Sequence, residues 1–194
     1  MPEIQDFKPG DIVGFSGRCW WSAAINFFTG GIPFWGLSHV GILANSQDGR
    51  LLFWESTDES ALPCEITGNE KVAGVQAHSL DKVLAGYHGR AWLYSLYRHL
   101  YAHEKCRLTG FLMSLVGRSY DTPGAIRSGG MILAAVEGCA RDESLDLLFC
   151  SEAVAAAAAN IGIFQTANAS RWSPNRLVRR LRLSGIVRKP KRLK

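Results

Sequence analysis

The sequence lacks any apolar run near the roughly eighteen residues that a membrane span requires, and its mean hydropathy is zero. No transmembrane segment is expected. A Cys-x-x-Cys pair is also missing. The five cysteines, Cys19, Cys64, Cys106, Cys139 and Cys150, are odd in number and irregularly spaced. That pattern fits neither a disulfide framework nor a zinc ribbon and suits a reducing compartment. The first residues, Met1-Pro2-Glu3-Ile4-Gln5-Asp6, do not have the basic-then-apolar order of a secretory signal. Cytoplasmic residence, or export by another route, is therefore expected. There is no internal repeat, and only the alanine run before Asn160 is low in complexity.

At 194 residues and 47% apolar, the chain can bury one substantial core and is short for two full domains. One domain over 1–184 with a basic end over 185–194 is the expected organisation. The net charge of +5 hides a division. Residues 171–194 hold Arg171, Arg176, Arg179, Arg180, Arg182, Arg188, Lys189, Lys191, Arg192 and Lys194 with no acid, and the body without these ten is net −5. Basicity belongs to the C-terminal segment. It either neutralises the body or offers a surface to nucleic acid or acidic lipid.

Pro9-Gly10 turns into a short strand at Asp11-Ile12-Val13-Gly14-Phe15. Trp20, Ala23, Ala24, Phe27 and Phe28 recur at helical spacing, predicting a helix over 19–28. Residues 37–44 and 51–55 read as strands joined by Asn45-Ser46-Gln47-Asp48-Gly49, an antiparallel hairpin. A polar surface excursion follows over 56–75, then a short strand over 75–78 and a stronger one over 90–96. Helices are expected over 99–116 and 131–140, separated by a loop that starts at Gly117. Ser173 and Pro174 supply an N-cap and a first helical residue. Leu177, Val178 and Leu181 then make an apolar stripe beneath the arginines, giving a helix to about 183 and a mobile basic end after Gly185.

The chemistry-bearing stretch is 147–162. Alanine favours a helix and Asn160-Ile161-Gly162 ends one, so the helix should start at or beside Cys150. A thiol at a helix start meets unpaired N–H groups and the positive end of the dipole, which favour thiolate. Cys150 is the candidate nucleophile; the alternative is a small buried apolar residue. A cysteine nucleophile needs a base and a group that orients the base. Of five histidines, His39 alone lies inside a strong strand pattern beside small residues, where it is either the base or a hydrogen-bonded core residue. Across the expected hairpin stands Glu55, an acid at the end of an apolar strand, able to fix the imidazole tautomer.

In order, Gly10-Asp11-Ile12-Val13, Ser38-His39-Val40-Gly41-Ile42, Glu55, Gly117-x-x-Tyr120-Asp121, Phe149-Cys150-Ser151-Glu152 and Ser173-Pro174 resemble the circularly permuted papain-like hydrolases of the NlpC superfamily. The YiiX-like group is the nearer likeness and the lecithin retinol acyltransferase group a more distant one. In these proteins the histidine strand precedes the cysteine helix, as it does here, and the resemblance spans about 7–180. It implies an α+β papain-like fold, an antiparallel sheet packed against the cysteine helix. It also implies Cys150 as nucleophile, His39 as base, Glu55 as third residue, and an oxyanion met by N–H groups at the start of the Cys150 helix. No cofactor or metal is required. Trp20, Trp21, Ser38, Tyr120 and Ser151 are candidates for the substrate pocket. Substrates implied are peptide-type amides, including cell-wall fragments, or lipid acyl bonds.

Two rival constellations exist. Cys19-Trp20-Trp21-Ser22 imitates the start of an unpermuted papain helix, but its base would be His39 after only a helix and a short loop. His99, His103 and Cys106 fall at i, i+4 and i+7 with zinc-compatible chemistry but no fourth ligand. Hydrolysis through a thioacyl enzyme, acyl transfer to a lipid-type acceptor, and an inert module gripping polyanions through its basic end are the functions in contention.

Overall fold

The computed structural model describes residues 7–17, 36–57, 62–69, 74–116, 143–166, 169 and 172–194; of 143–149 it describes the backbone. The expected helices over 19–28 and 131–140, Cys19, Trp20, Trp21 and the loop containing Tyr120 lie outside these residues. The chain is α+β. Among the described residues one sheet has six antiparallel strands in the order β4-β3-β2-β1-β5-β6. They are β1 (Ile12–Ser16), β2 (His39–Asn45), β3 (Leu51–Thr57), β4 (Gly74–His78), β5 (Arg90–Tyr94) and β6 (Lys191–Arg192). Four helices are described: α1 (Leu80–Gly86), α2 (Ala102–Leu115), α3 (Glu143–Asn160) and α4 (Pro174–Leu183).

The strands alternate as period-two pleating requires. Val40, Ile42, Ala44 and Trp54 enter the larger core beneath α3, together with Cys150, Val154, Ala157 and Ala158. Leu43, Phe53, Val13 and Phe15 form a second cluster with Leu80. On α3, Ala153, Ala155, Ala157 and Ala158 are buried. Their small side chains let the helix axis come close to β2 and β3, against which α3 packs. Gly162, at φ +76°, ends the helix, as glycine in the left-handed region commonly does.

Buried Asp11 joins β1 to the far end of β5. Its carboxylate accepts the Leu96 N–H at 2.8 Å and the Lys8 N–H at 3.2 Å. Burial raises this carboxyl to about 6 despite those two bonds and the nearby Lys8 charge.

The sequence did not point to α1 or β6. The residues after Gly185, expected as a mobile basic end, are built into the sheet. Val187 is buried in the larger core and bridges Leu96. Lys191 and Arg192 pair with Leu93 and Trp92, and the Lys194 ammonium donates to the carbonyls of Leu84 at 2.8 Å and Tyr87 at 2.6 Å. Those carbonyls lie at the C-terminal end of α1, where orphan acceptors and a negative dipole end favour a cation. Three local attachments thus outweigh the solvation that the five positive charges of this segment would otherwise promote. The α4 segment itself matches its pattern: Leu177, Val178 and Leu181 are buried beneath exposed arginines.

Candidate active site

The β2–β3 hairpin carries the two groups that the sequence put opposite one another. Its register pairs Ile42 with Trp54 and Leu43 with Phe53, and one step further Gly41 faces Glu55. His39, the first residue of β2, thus reaches Glu55 diagonally, a distance long side chains span. Its Nε2 lies 2.6 Å from Glu55 Oε2. The strands can approach this closely because position 41 has no side chain. A Cβ on Gly41 would sit 2.3 Å from the Phe53 ring and 2.5 Å from the Trp54 carbonyl oxygen, distances real atoms do not adopt. Phe15, the β1 partner of His39, lies with its ring centroid 6.1 Å from the imidazole.

Cys150 is fully buried, and its side chain hydrogen-bonds the His39 ring. With Nε2 turned to Glu55, Nδ1 is the ring nitrogen left for the thiol. Burial alone would pull His39 down. The charge and hydrogen bond of Cys150, followed by the hydrogen bond and charge of Glu55, outweigh burial and hold the imidazole well above its ordinary 6.5. The structure therefore brings together a sulfur, an imidazole and a carboxylate in contact order, from elements 95 or more residues apart in the case of Cys150.

The expected start of the cysteine helix is corrected. The helix begins at Glu143, seven residues before Cys150. Residues 143–149 contain neither glycine nor proline and include three leucines, so nothing in that stretch stops the helix from running through the cysteine. Inside a helix the N–H of Cys150 is already bonded to the carbonyl four residues earlier. The dipole argument for the thiolate and the helix-start N–H groups for the oxyanion both lose their basis at this position.

The two candidate pocket serines have other partners. The Ser38 hydroxyl accepts the Gly17 N–H at 3.2 Å and donates to the Phe15 carbonyl at 3.3 Å, tying the end of β1 to the start of β2. Ser151, also buried, donates to the Trp172 carbonyl. Both hold backbone beside the site. Trp20, Trp21 and Tyr120 lie outside the described residues. Among the described residues no three His, Cys, Asp or Glu side chains are grouped to hold a metal ion.

Two contributors escaped the sequence pattern. Asn175, in the first turn of α4, clamps the main chain of Leu37, accepting its N–H through Oδ1 at 2.7 Å and donating through Nδ2 to its carbonyl at 3.0 Å. The amide thereby fixes the approach to His39 two residues away. The second is the β4 pair Gln76 and His78. Gln76 is the β-partner of Glu55, and His78 Nε2 lies 3.6 Å from Glu55 Oε1. No sequence signal marked Asn175. Their period-two spacing, which puts two strand residues on one face, is the only trace of them in the sequence.

The fold and site together define an α+β protein with an antiparallel sheet whose central hairpin meets a cysteine-bearing helix. No family model matches the chain, and no curated protein matches it. Among solved structures, the crystal structure of the metalloprotein YiiX from Escherichia coli O157:H7 is similar. The TM-score is 0.49 at 18% identity, and the match covers 81% of this chain and 67% of that one. The likeness is one of shape and assigns no residue a role. Among the described residues, no helix is long and apolar enough to cross a membrane.

Proposed function

We propose that the chain is a cysteine hydrolase of the amidase or peptidase type with a permuted papain-like arrangement. The observation that carries this reading is the contact order Cys150, His39, Glu55, with the 2.6 Å bond from the imidazole to the carboxylate and the thiol on the same ring. In the first step the Cys150 proton moves to His39, and the sulfur attacks the carbonyl carbon of an amide or ester. The tetrahedral intermediate collapses as the carbon–nitrogen or carbon–oxygen bond breaks, and the leaving amine or alcohol takes the proton from His39. Water then gives a proton to His39 and attacks the thioester. The acid departs, and the proton returns to the sulfur. Glu55 holds the ring in the required tautomer and stabilises the imidazolium formed twice per cycle.

No step needs a cofactor. Because the Cys150 sulfur is covered, chain over it must open before a substrate carbonyl can reach it. Peptide-type amides, cell-wall peptide fragments among them, are the substrate class; a lipid-type acceptor in place of water would turn the same thioester into an acyl-transfer intermediate. The test is a thiol-directed amide or ester probe followed by mass spectrometry of the labelled peptide. Labelling at Cys150 that disappears in His39→Ala supports the hydrolase. An intact protein that does not label, or labels equally without His39, overturns it.

A second reading rests on a separate observation. Arg176, Arg179, Arg180, Arg182 and Lys189 are exposed, and none forms an ion pair with a carboxylate among the described residues. A surface of this sign fits an anionic partner, nucleic acid or acidic lipid. Binding to either should weaken steeply with added salt, because displaced counterions return to the polyanion. Binding that ignores salt, or survives replacement of these five by glutamine, removes that reading.

A further inference from the structure

Residues 172–175 touch the neighbours of both the nucleophile and the base. Ser151, next to Cys150 on α3, donates its hydroxyl to the Trp172 carbonyl. Three residues further on, Asn175 binds both main-chain groups of Leu37, its Oδ1 taking the N–H at 2.7 Å and its Nδ2 giving to the carbonyl at 3.0 Å. Leu37 stands two residues before His39. Neither end of this link is loose. The Trp172 indole N–H donates to the Thr166 hydroxyl at 2.8 Å, and its ring meets Phe164 edge-on with centroids 5.2 Å apart. Pro174 fixes φ at the first helical position of α4, and Leu177, Val178 and Leu181 seat that helix in the larger core. At the other end, Leu37 is buried so closely on β1 that a Cβ on Gly14 would lie 2.7 Å from its Cδ1. The Ser38 N–H then donates to the Phe15 carbonyl at 2.8 Å.

We infer that Asn175 and Ser151 are positioning residues of this site: through residues 172–175 they hold the Cys150 sulfur and the His39 ring at a fixed separation. The inference rests on the proposed roles of Cys150 and His39. The packing of α3 gives such a link its purpose. The helix rests on β2 and β3 with Ala153, Ala155, Ala157 and Ala158 on its buried side, and methyl groups make shallow ridges that resist sliding poorly. Hydrogen bonds are directional, so they fix what shallow packing leaves free. Side-chain chemistry singles out asparagine at 175. Its amide carries an acceptor and a donor at one tip, matching the N–H and carbonyl of one residue, whereas an ionised aspartate has acceptors only and alanine has neither. A misplacement of about 1 Å between reacting groups can cost roughly a hundredfold in rate, so the link bears on the reaction more than on the fold.

Two readouts test it. The first is labelling of Cys150 by the thiol-directed amide probe, followed as rate against probe concentration. The maximal rate should fall roughly 10–100-fold in folded Asn175→Ala and in folded Ser151→Ala, with the half-saturating concentration kept. The second is the ring-proton NMR titration of His39, which does not depend on turnover. Against burial, which alone would lower it, contact with Cys150 and then Glu55 holds this ring above 6.5, so both variants should bring its midpoint down toward that value. Val178→Ala supplies the control. It removes core packing from the same helix without touching the link, and should lower the melting temperature while leaving labelling and titration as they are. Full labelling and an unmoved His39 midpoint in folded Asn175→Ala overturn the inference, and so does a Val178→Ala variant that reproduces its changes. Should Asn175→Ala fail to fold, Ser151→Ala decides on the same two readouts. A wild-type protein that does not label, with a His39 midpoint that still falls in Asn175→Ala, would instead count against the hydrolase reading and leave the positioning of the pair standing.

Discussion

The two ends of this one sheet solve opposite problems with the same pairing. At the β4-β3-β2 end, Gln76 and His78 are buried and Glu55 and His39 half-buried, and each is matched to a hydrogen-bonding partner. At the β5-β6 end the strand added last, Lys191–Arg192, is exposed and brings its charge to solvent. Polar groups at the first end hold their positions because desolvation penalises any arrangement that leaves one unmatched. Cations at the second pay little for exposure, and what holds them is backbone pairing, Val187 and Lys194. A buried polar network is therefore sensitive to single atoms, whereas a charged edge is sensitive only to loss of its anchors.

The comparison breaks most sharply at the sulfur. Cys150→Ala should abolish probe labelling, and His39→Ala should lower it by roughly a thousandfold or more, both read by mass spectrometry against folded controls. Glu55→Gln comes next. The amide still occupies the place beside His39 but stabilises the imidazolium less well, so turnover should fall by roughly 10²–10⁴-fold with the melting temperature nearly kept. Unchanged turnover would remove Glu55 from the site.

At the charged end, deletion of 186–194 removes a buried valine, the β5–β6 pairing and the Lys194 cap on α1. A loss of roughly 3–5 kcal/mol in denaturant unfolding is expected. Had the segment been the mobile tail its composition suggested, the loss would be near zero. Replacing Arg179, Arg180 and Arg182 by glutamine should, by contrast, cost under about 0.5 kcal/mol.

A pH dependence is lodged between the two ends, at Asp11. A carboxyl raised to about 6 in the folded chain from an ordinary 3.8 binds its proton more tightly when folded. Stability from this group therefore falls as pH rises through the window from about 4 to about 6, by roughly 2–3 kcal/mol in all. Asp11→Asn should abolish that slope, the lost Lys8 bond adding only a pH-independent offset. For His39, also raised, the imidazolium's contribution is complete below the ordinary 6.5 and is lost as pH climbs through the higher folded value. The two slopes thus occupy different pH ranges and separate in a difference titration.

Much of this arrangement was written locally. The apolar runs 37–44 and 51–55 around a five-residue polar turn set the hairpin, and with it the approach of His39 to Glu55, because strand period and turn position set register together. The alanine run and Gly162 fixed the helix and its end. The stripe Leu177, Val178 and Leu181 fixed which face of α4 is inside. These are near-neighbour effects, and composition is enough to read them. The start of α3 was misread for the same reason: the propensity of 143–149 permits a helix without announcing one, and Cys150 accordingly lies within the helix.

What tertiary structure alone decided are the contacts between distant segments whose local pattern is silent. Asn175 clamps Leu37 across 138 residues, and an asparagine after Ser-Pro carries no signal of such a partner. His78 reads as one more strand residue until β4 pairs with β3 and sets it against Glu55. Lys191 and Arg192 are solvated cations by composition, yet they extend the sheet, because the open edge of β5 and the core place for Val187 exist only once the rest has folded. Burial and strand neighbours are properties of the assembled sheet, and charge, spacing and propensity along the chain do not encode them.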